Sequence, residues 1–194
     1  MLELLDELLD ISAIETGNQG FFPAPTDLRS LIEASIALSR PLANRKGTEI
    51  KAQYPERIPT VTLDWRKMTQ VFLNLIGNSI KFCQNGGLVE VTVVLEPADL
   101  VFHVRDNGPG ISSDELESIF MSFQRGRGSA SRHPGKGLGL AICKRIVDLH
   151  GGRIWAENGA DGGTAFYLSL PLDVPSPHKP FGPAYVRTAK SRDT

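Results

Sequence analysis

The chain has 194 residues, of which 41% are hydrophobic, and its 21 Lys and Arg residues against 22 Asp and Glu residues give a formal net charge of −1. This length fits one main domain, and this apolar content excludes a disordered chain. The charge balance excludes the basic surface of a typical nucleic-acid binder, and no apolar run approaches the roughly 20 residues of a membrane span. The two cysteines, Cys83 and Cys143, cannot form a disulfide framework or a zinc site and are expected to be buried free thiols in a reducing compartment.

Leucines at helical spacing predict a helix over residues 1–16, which Gly17 would end. A helix this short is marginal alone, so it needs a partner, either the rest of the domain or a second copy of itself. Because the helical pattern is already under way at Met1, we expect the chain to be the C-terminal piece of a longer protein.

The rest of the sequence predicts an irregular alternation of helices and strands before a Pro-rich tail at 173–194. Helices are predicted from a cap at Thr26 or Asp27 to about Arg45, over 64–82 and over 138–150, with one short helix near Ser112, whose spacing to Glu115 fits a capping box. Strands are predicted over 49–54, 60–63, 88–96, 100–106, 153–157 and 164–170, the third and fourth forming a hairpin. This pattern indicates an α+β two-layer sandwich.

A narrow polar stripe runs along the predicted helix 64–82. At about 100° per residue it collects Lys67, Gln70, Asn74, Asn78 and Lys81. The stripe is expected to face away from the core, and a plainly solvated face is one interpretation. Asparagines and the mid-helix Gly77, however, lower helix stability, and amide oxygens beside an ammonium suit a hard cation and phosphate oxygens.

Two glycine-rich segments are candidates for a nucleotide site. Asp106-Asn-Gly-Pro-Gly110 follows a predicted strand, where the glycines allow close backbone approach and the aspartate can accept a hydrogen bond from an exocyclic amine. Gly135-Lys-Gly-Leu-Gly139-Leu140 opens a predicted helix, where free N–H groups bind anions. A simple turn and a simple hinge are the alternatives. Neither segment has P-loop or dinucleotide-fold spacing.

The order of these motifs resembles the GHKL ATPase superfamily, and most closely the catalytic and ATP-binding domain of sensor histidine kinases. The matching stretches are 74–82 (the N box), 106–110 (G1), 119–123 (the F box), 135–140 (G2) and the Gly-Gly-Thr at 162–164. Residues 1–16 resemble the end of the second helix of the dimerisation and phosphotransfer domain. The resemblance implies a Bergerat-type mixed sheet covered by helices on one face, a catalytic domain over 17–172, an ATP lid over about 111–134 and a disordered tail.

The resemblance also implies roles for individual residues. Asp106 would hold the adenine amine with support from Thr164, Asn78 would ligate Mg²⁺, and Asn74, Lys81 and Arg125 would act on the phosphates of ATP. The other residues implied to contact the nucleotide are Phe82, Gly108, Gly110, Ile111, Phe120, Phe123, Lys136, Gly137, Leu138, Gly139 and Leu140.

One departure concerns the reaction type. Gyrase-type relatives that hydrolyse ATP carry a glutamate four residues before the metal asparagine, and this chain has Asn74 there. An amide cannot accept a proton at neutral pH, so the γ-phosphoryl group is expected to pass to a histidine rather than to water.

The acceptor histidine is expected to lie outside this chain, because none of its four histidines fits the family pattern: His103, His133, His150 and His178. The resemblance implies an ATP-dependent protein histidine kinase that relays phosphate to an aspartate of a response-regulator receiver domain. It implies a homodimer through the dimerisation helices and a cytoplasmic location, and leaves open whether the parent protein is anchored in the inner membrane. A serine kinase of the anti-sigma type and a non-catalytic regulatory GHKL module are the alternatives.

Overall fold

A five-stranded mixed sheet carries three helices in the computed structural model, which describes residues 20–116, 118–121, 138–160 and 162–172. The strands are β1 (Ala24–Thr26), β2 (Glu49–Gln53), β3 (Val61–Leu63), β4 (Leu88–Leu95), β5 (Asp99–Asp106), β6 (Arg153–Asn158) and β7 (Thr164–Pro171). The helices are α1 (Leu28–Lys46), α2 (Trp65–Phe82) and α3 (Gly139–Leu149). The main sheet has the order β2-β4-β5-β7-β6, in which only β2 and β4 are parallel. The α+β prediction is confirmed.

The helices begin and end where local chemistry predicts. The Asp27 carboxylate accepts hydrogen bonds from the N–H groups of the first turn of α1, and Gly47 ends that helix with a φ of 66°. Asp64 caps α2 in the same way, through the N–H of Lys67. The two long helices therefore start within one residue of their predicted positions.

The core lies between the helices and one face of the sheet. On β5, Leu100, Phe102 and Val104 are all buried because alternate residues of a strand point to the same face. Phe102 meets Phe72 of α2 with ring centroids 4.6 Å apart. The same alternation places Asp106, the last residue of β5, on the buried face.

Two features differ from the sequence-based predictions. β1 has no counterpart among the predicted strands: it pairs with β3 as a separate two-stranded sheet, with Pro25 in its middle, and a three-residue strand has no readable periodicity. The capping box is wrong: the Ser112 hydroxyl donates to the Asp114 carboxylate, and the Glu115 N–H donates to the Ser112 main-chain carbonyl. Instead of a full helix, this region has a turn followed by a 3-10 helix over Ser118–Phe120.

Several predictions lie outside the described residues. These are the helix over 1–16, most of the lid over 111–134 and the tail over 173–194. Cys83 and Cys143 are both buried and free, as expected. Among the helices that the structure describes, none is both long and apolar enough to cross a membrane.

Candidate functional site

An open pocket of about 450 Å³ lies beside α2 and brings together three of the predicted phosphate-site residues. It is lined by Leu42, Lys46, Leu73, Asn74, Gly77, Asn78, Ile80, Lys81 and Asn85. Gly77 lies against open space, since a Cβ on that residue would meet no heavy atom within 4 Å. The lining of the pocket thus includes three side-chain amides and two ammonium groups.

The polar stripe of α2 is less exposed than the sequence indicates. Asn74, Asn78 and Lys81 are half-buried, and Lys67 is only 9% exposed. The reason is tertiary: α3 packs along this side of α2, and the Asn74 amide donates to the main-chain carbonyl of Gly139 at 3.4 Å. The expectation that the stripe faces away from the core is therefore wrong for Lys67.

Asp106 is a buried carboxylate held by two loops. It is 4% exposed, and its Oδ1 accepts hydrogen bonds from the N–H of Gly108 at 2.9 Å and from the N–H of Thr164 at 3.3 Å. Antiparallel pairing of β5 with β7 brings Thr164 next to Asp106, because the register aligns Arg105 with Ala165. Thr164 therefore supports the aspartate through its backbone.

Burial and nearby polar groups shift the pKa of Asp106 in opposite directions. Burial raises the pKa of this carboxyl above its ordinary value, while the N–H groups of Gly108 and Thr164, the Ser79 side chain and the charge of Lys46 lower it. A carboxylate in such a place is expensive to keep ionised, and it is suited to accepting one further strong hydrogen bond from a ligand amine.

Glycines make this close packing feasible. A Cβ on Gly108 would lie 2.6 Å from the carbonyl oxygen of Phe82 and 2.8 Å from Oδ1 of Asp106. Gly163 has a φ of 78°, and a Cβ there would overlap the main-chain oxygen of Asp106. The predicted Gly-Gly-Thr and G1 motifs therefore meet around one carboxylate.

The start of α3 offers backbone donors. Leu138 occupies its N-cap position and supplies no side-chain oxygen to the first N–H groups of the helix. Its side chain is buried in the core, so only its backbone can reach a ligand. Gly139 lies against Asn74, and a Cβ on it would come within 3.4 Å of the Asn74 side-chain oxygen. The N–H groups of this helix end are thus placed next to the amide stripe of α2.

The Asp106 group and the polar residues of α2 lie in separate places and do not share one cavity. Asp106, Gly108 and Thr164 do not line the pocket that contains Asn74, Asn78 and Lys81. The two groups meet at the last turn of α2, where the Phe82 carbonyl faces Gly108 and the Lys81 ammonium lies 5.1 Å from the centre of the Phe82 ring.

A family model described as "Histidine kinase-, DNA gyrase B-, and HSP90-like ATPase" matches residues 63–174, more than half of the chain. The chain belongs to this ATPase family. The matched range contains Asp106, both α2 asparagines and the glycine-rich segments, in agreement with the GHKL resemblance noted from the sequence.

The relatives identify the branch of this GHKL family. The adaptive-response sensory kinase SasA of Prochlorococcus marinus (strain MIT 9313) is 36% identical over 173 residues, which are 88% of this chain and 46% of SasA. This chain thus spans about half the length of that curated relative. It carries the catalytic domain of the sensor histidine kinase type, and the serine-kinase and regulatory alternatives are not favoured.

Solved structures agree with this assignment. The full-length structure of ShkA in complex with AMPPNP has a TM-score of 0.78 and 28% identity, and the alignment covers 90% of this chain and 36% of ShkA. The catalytic domain of the histidine kinase ThkA has a TM-score of 0.69 and 27% identity over 77% of this chain and 97% of that domain. A complex of ThkA with the response regulator protein TrrA has a TM-score of 0.71 at 24% identity, over 88% of this chain and 48% of that one, and shows the fold alone.

The sequence missed two polar residues of this GHKL site. Asn158, at the end of β6, accepts a hydrogen bond from the Ile111 N–H at 2.9 Å and donates to the Ile111 carbonyl, which fixes the chain where it leaves the G1 motif. Lys46 lines the α2 pocket from the end of α1. Asn158 could not be found from the sequence, because its partner Ile111 lies 47 residues away. Lys46 stands in the last turn of a helix, which predicts a contact with carbonyls at a helix end but does not say which helix supplies them.

Other residues implied by the GHKL resemblance divide into two groups. Ile111, Phe120 and Leu140 are partly buried and pack against the core, and the 3-10 helix contacts α3. Phe123, Arg125, Lys136 and Gly137 lie outside the described residues.

The donor set fits magnesium bound together with phosphates. No cluster of three or more His, Cys, Asp or Glu side chains that could hold a metal occurs in the described part of the chain. Mg²⁺ prefers oxygen ligands, keeps several waters and is commonly bound by one or two protein groups plus substrate phosphates. The amide oxygen of Asn78, which lines an open pocket, matches that mode and would not hold the ion alone.

Proposed function

We propose that this chain binds Mg-ATP and donates the γ-phosphoryl group to a histidine of a sensor histidine kinase, for relay to a response-regulator aspartate. The observation that carries the proposal is Asp106, a buried carboxylate that accepts from the N–H groups of Gly108 and Thr164 next to the last turn of α2. Burying a charge in this way is costly, and a ligand amine explains its presence better than the fold does.

Recognition of adenine would rest on this carboxylate. One carboxylate oxygen of Asp106 is occupied by Gly108 and Thr164. The second oxygen has lone pairs for a further hydrogen bond, and the exocyclic amine of adenine is a donor of the required kind. Phe82, Gly110 and Ile111 adjoin this position and are proposed to line the base.

The phosphates would lie along α2 towards the start of α3. Lys81 and Asn74 are proposed to orient them, with the N–H groups of Gly139 and Leu140 and the positive end of the α3 dipole supplying further stabilisation. Asn78 would hold Mg²⁺, which, when bound, neutralises charge on the phosphates. Catalysis is then positioning plus electrostatics, and this chain's residues supply no covalent intermediate.

Transfer to histidine rather than hydrolysis follows from residue 74. Its amide, bonded to the Gly139 carbonyl, cannot take a proton from water. A histidine imidazole needs no such base to act as a nucleophile at neutral pH.

The described histidines do not suit the acceptor role. His150 is 1% exposed, and both its ring nitrogens are engaged, Nδ1 with the Ile146 carbonyl and Nε2 with the Asp64 N–H. His103 is half-buried within β5. We therefore propose that the acceptor lies outside this chain, on a dimerisation helix. The response-regulator partner, homodimerisation and a cytoplasmic location belong to the same proposal.

Calorimetric titration of the full chain with ATP, with and without Mg²⁺, tests this function. We expect binding of ATP that is tighter with Mg²⁺, and slow or undetectable release of phosphate in the absence of an acceptor. GTP serves as the control, because its exocyclic amine is placed differently. Absence of heat with folded protein would contradict the proposal, and so would stable, acid-labile phosphate on this chain alone.

A further inference from the structure

The side chain of Lys46 makes an unusually complete set of contacts at the end of a helix to which it does not belong. Its Nζ lies 2.7 Å from the carbonyl oxygen of Ile80, 2.7 Å from that of Lys81 and 2.5 Å from that of Cys83. An ammonium group has three protons and no acceptor. All three protons of Lys46 are therefore used on the C-terminal end of α2.

These contacts satisfy backbone carbonyls at and just after the end of α2, of which that of Ile80 also accepts from the Cys83 thiol at 3.2 Å. The last four carbonyls of a helix have no partner within it, and a cation there also complements the helix dipole. α2 ends at Cys83 with a φ of −59°, so it lacks the left-handed residue that usually satisfies such carbonyls. The backbone of Lys46 holds the following loop as well, since its carbonyl accepts the Gly86 N–H at 3.2 Å.

The turn that Lys46 holds is the one that joins the two halves of the site. It carries Lys81 and Phe82, and the Phe82 carbonyl packs against Gly108 next to Asp106. The positive charge of Lys46 also acts on Asp106 and favours its ionised form.

We propose that Lys46 is a positioning residue of the nucleotide site: it fixes the last turn of α2 so that Lys81 and Asp106 act on one nucleotide, and it does not touch that nucleotide. The inference rests on the proposed function for what the site binds. A direct contact with phosphate would require the ammonium to leave at least one of its three carbonyls, and the penalty for an unpaired, part-buried carbonyl opposes this.

The experiment compares Lys46→Met with Arg45→Met in the full chain. Arg45 is the adjacent residue of the same helix end and is exposed, so its variant removes an equal charge without the three contacts. Two quantities are measured: the pKa of the Asp106 carboxyl in nucleotide-free protein, by carbon-13 NMR, and the Kd for Mg-ATP, by calorimetry. We expect Lys46→Met to raise the pKa of Asp106 and weaken ATP binding about tenfold, and Arg45→Met to change neither.

Lys46→Arg separates charge from geometry, since the planar guanidinium keeps the charge but cannot converge on three carbonyls as an ammonium does. We expect an Asp106 pKa close to that of the wild type and an intermediate affinity. If Lys46→Met fails to fold, Lys46→Gln, which is neutral and retains two donor protons, carries the same comparison.

Unchanged ATP affinity in folded Lys46→Met would overturn the inference. Weakened affinity with an unchanged Asp106 pKa would overturn it too, because it indicates a direct contact with the nucleotide. If the wild-type chain does not bind Mg-ATP, the proposed function fails, and the NMR measurement still reports on Lys46, since it needs no nucleotide.

Discussion

Replacing Asp106 by Asn separates ligand recognition from stability at the same atom. Asparagine is nearly isosteric, and its side-chain oxygen can still accept from the N–H groups of Gly108 and Thr164. The other terminal atom becomes an NH₂ donor and faces the adenine amine, also a donor. A hydrogen bond to a charged group is worth about 1.5–3 kcal/mol, so ATP affinity should fall by about 10- to 150-fold.

The unfolding free energy of Asp106→Asn should be equal to or higher than that of the wild type, although its ATP affinity falls. Because burial raises the pKa of Asp106, the native state binds its proton more tightly than the unfolded state does. The carboxyl therefore contributes stability at low pH that is lost as the pH rises through the native pKa. At neutral pH the neutral amide avoids that loss, and Asp106→Asn should unfold at an equal or higher urea concentration than the wild type.

Asp106→Ala is the matched control. It removes the acceptor from both loop N–H groups and should lose about 1–3 kcal/mol of unfolding free energy for each donor left unpaired. Calorimetry with Mg-ATP and urea unfolding at neutral pH measure both effects on the same samples. Wild-type affinity in Asp106→Asn would refute the adenine assignment, and a stability loss equal to that of Asp106→Ala would refute the reasoning on buried charge.

Three further predictions concern the surrounding residues. Gly77→Ala should raise the unfolding free energy by about 1 kcal/mol, because alanine favours the helix and its Cβ would meet only open space. Gly108→Ala should lower the unfolding free energy, because its Cβ would clash with the Phe82 carbonyl. Urea unfolding measures both changes, and a lower unfolding free energy in Gly77→Ala would contradict the first prediction. Asn78→Ala should weaken ATP binding much more in the presence of Mg²⁺ than in its absence, and equal losses in the two titrations would remove the metal role. Burial lowers the pKa of His150, so only the unfolded state takes up this proton between about pH 6.5 and the native pKa. The stability of the wild type should therefore fall relative to His150→Gln as the pH is lowered through that range, and parallel urea-unfolding curves would argue against it.

Much of the fold could be predicted because its signals are local. The caps Asp27 and Asp64 and the stop at Gly47 place the two long helices, and alternation along β5 assigns its buried face. The short strand β1 could not be found in this way, since it exists only through its pairing with β3. The capping box at Ser112 fails because the Glu115 N–H donates to the Ser112 main-chain carbonyl, in a turn, and not to the Ser112 hydroxyl.

The candidate site divides in the same manner. The sequence by itself determined the chemical types and their spacing: two amides and a lysine on one helix, a lone aspartate at a strand end, and glycines where a side chain would collide. Only the tertiary structure decided the burial of Asp106 against Gly108 and Thr164, the packing of Asn74 against α3 and the hydrogen bonds of Lys46 to the end of α2. Local spacing sets what one segment presents, but burial, desolvation and contacts between distant segments arise only when the layers pack together.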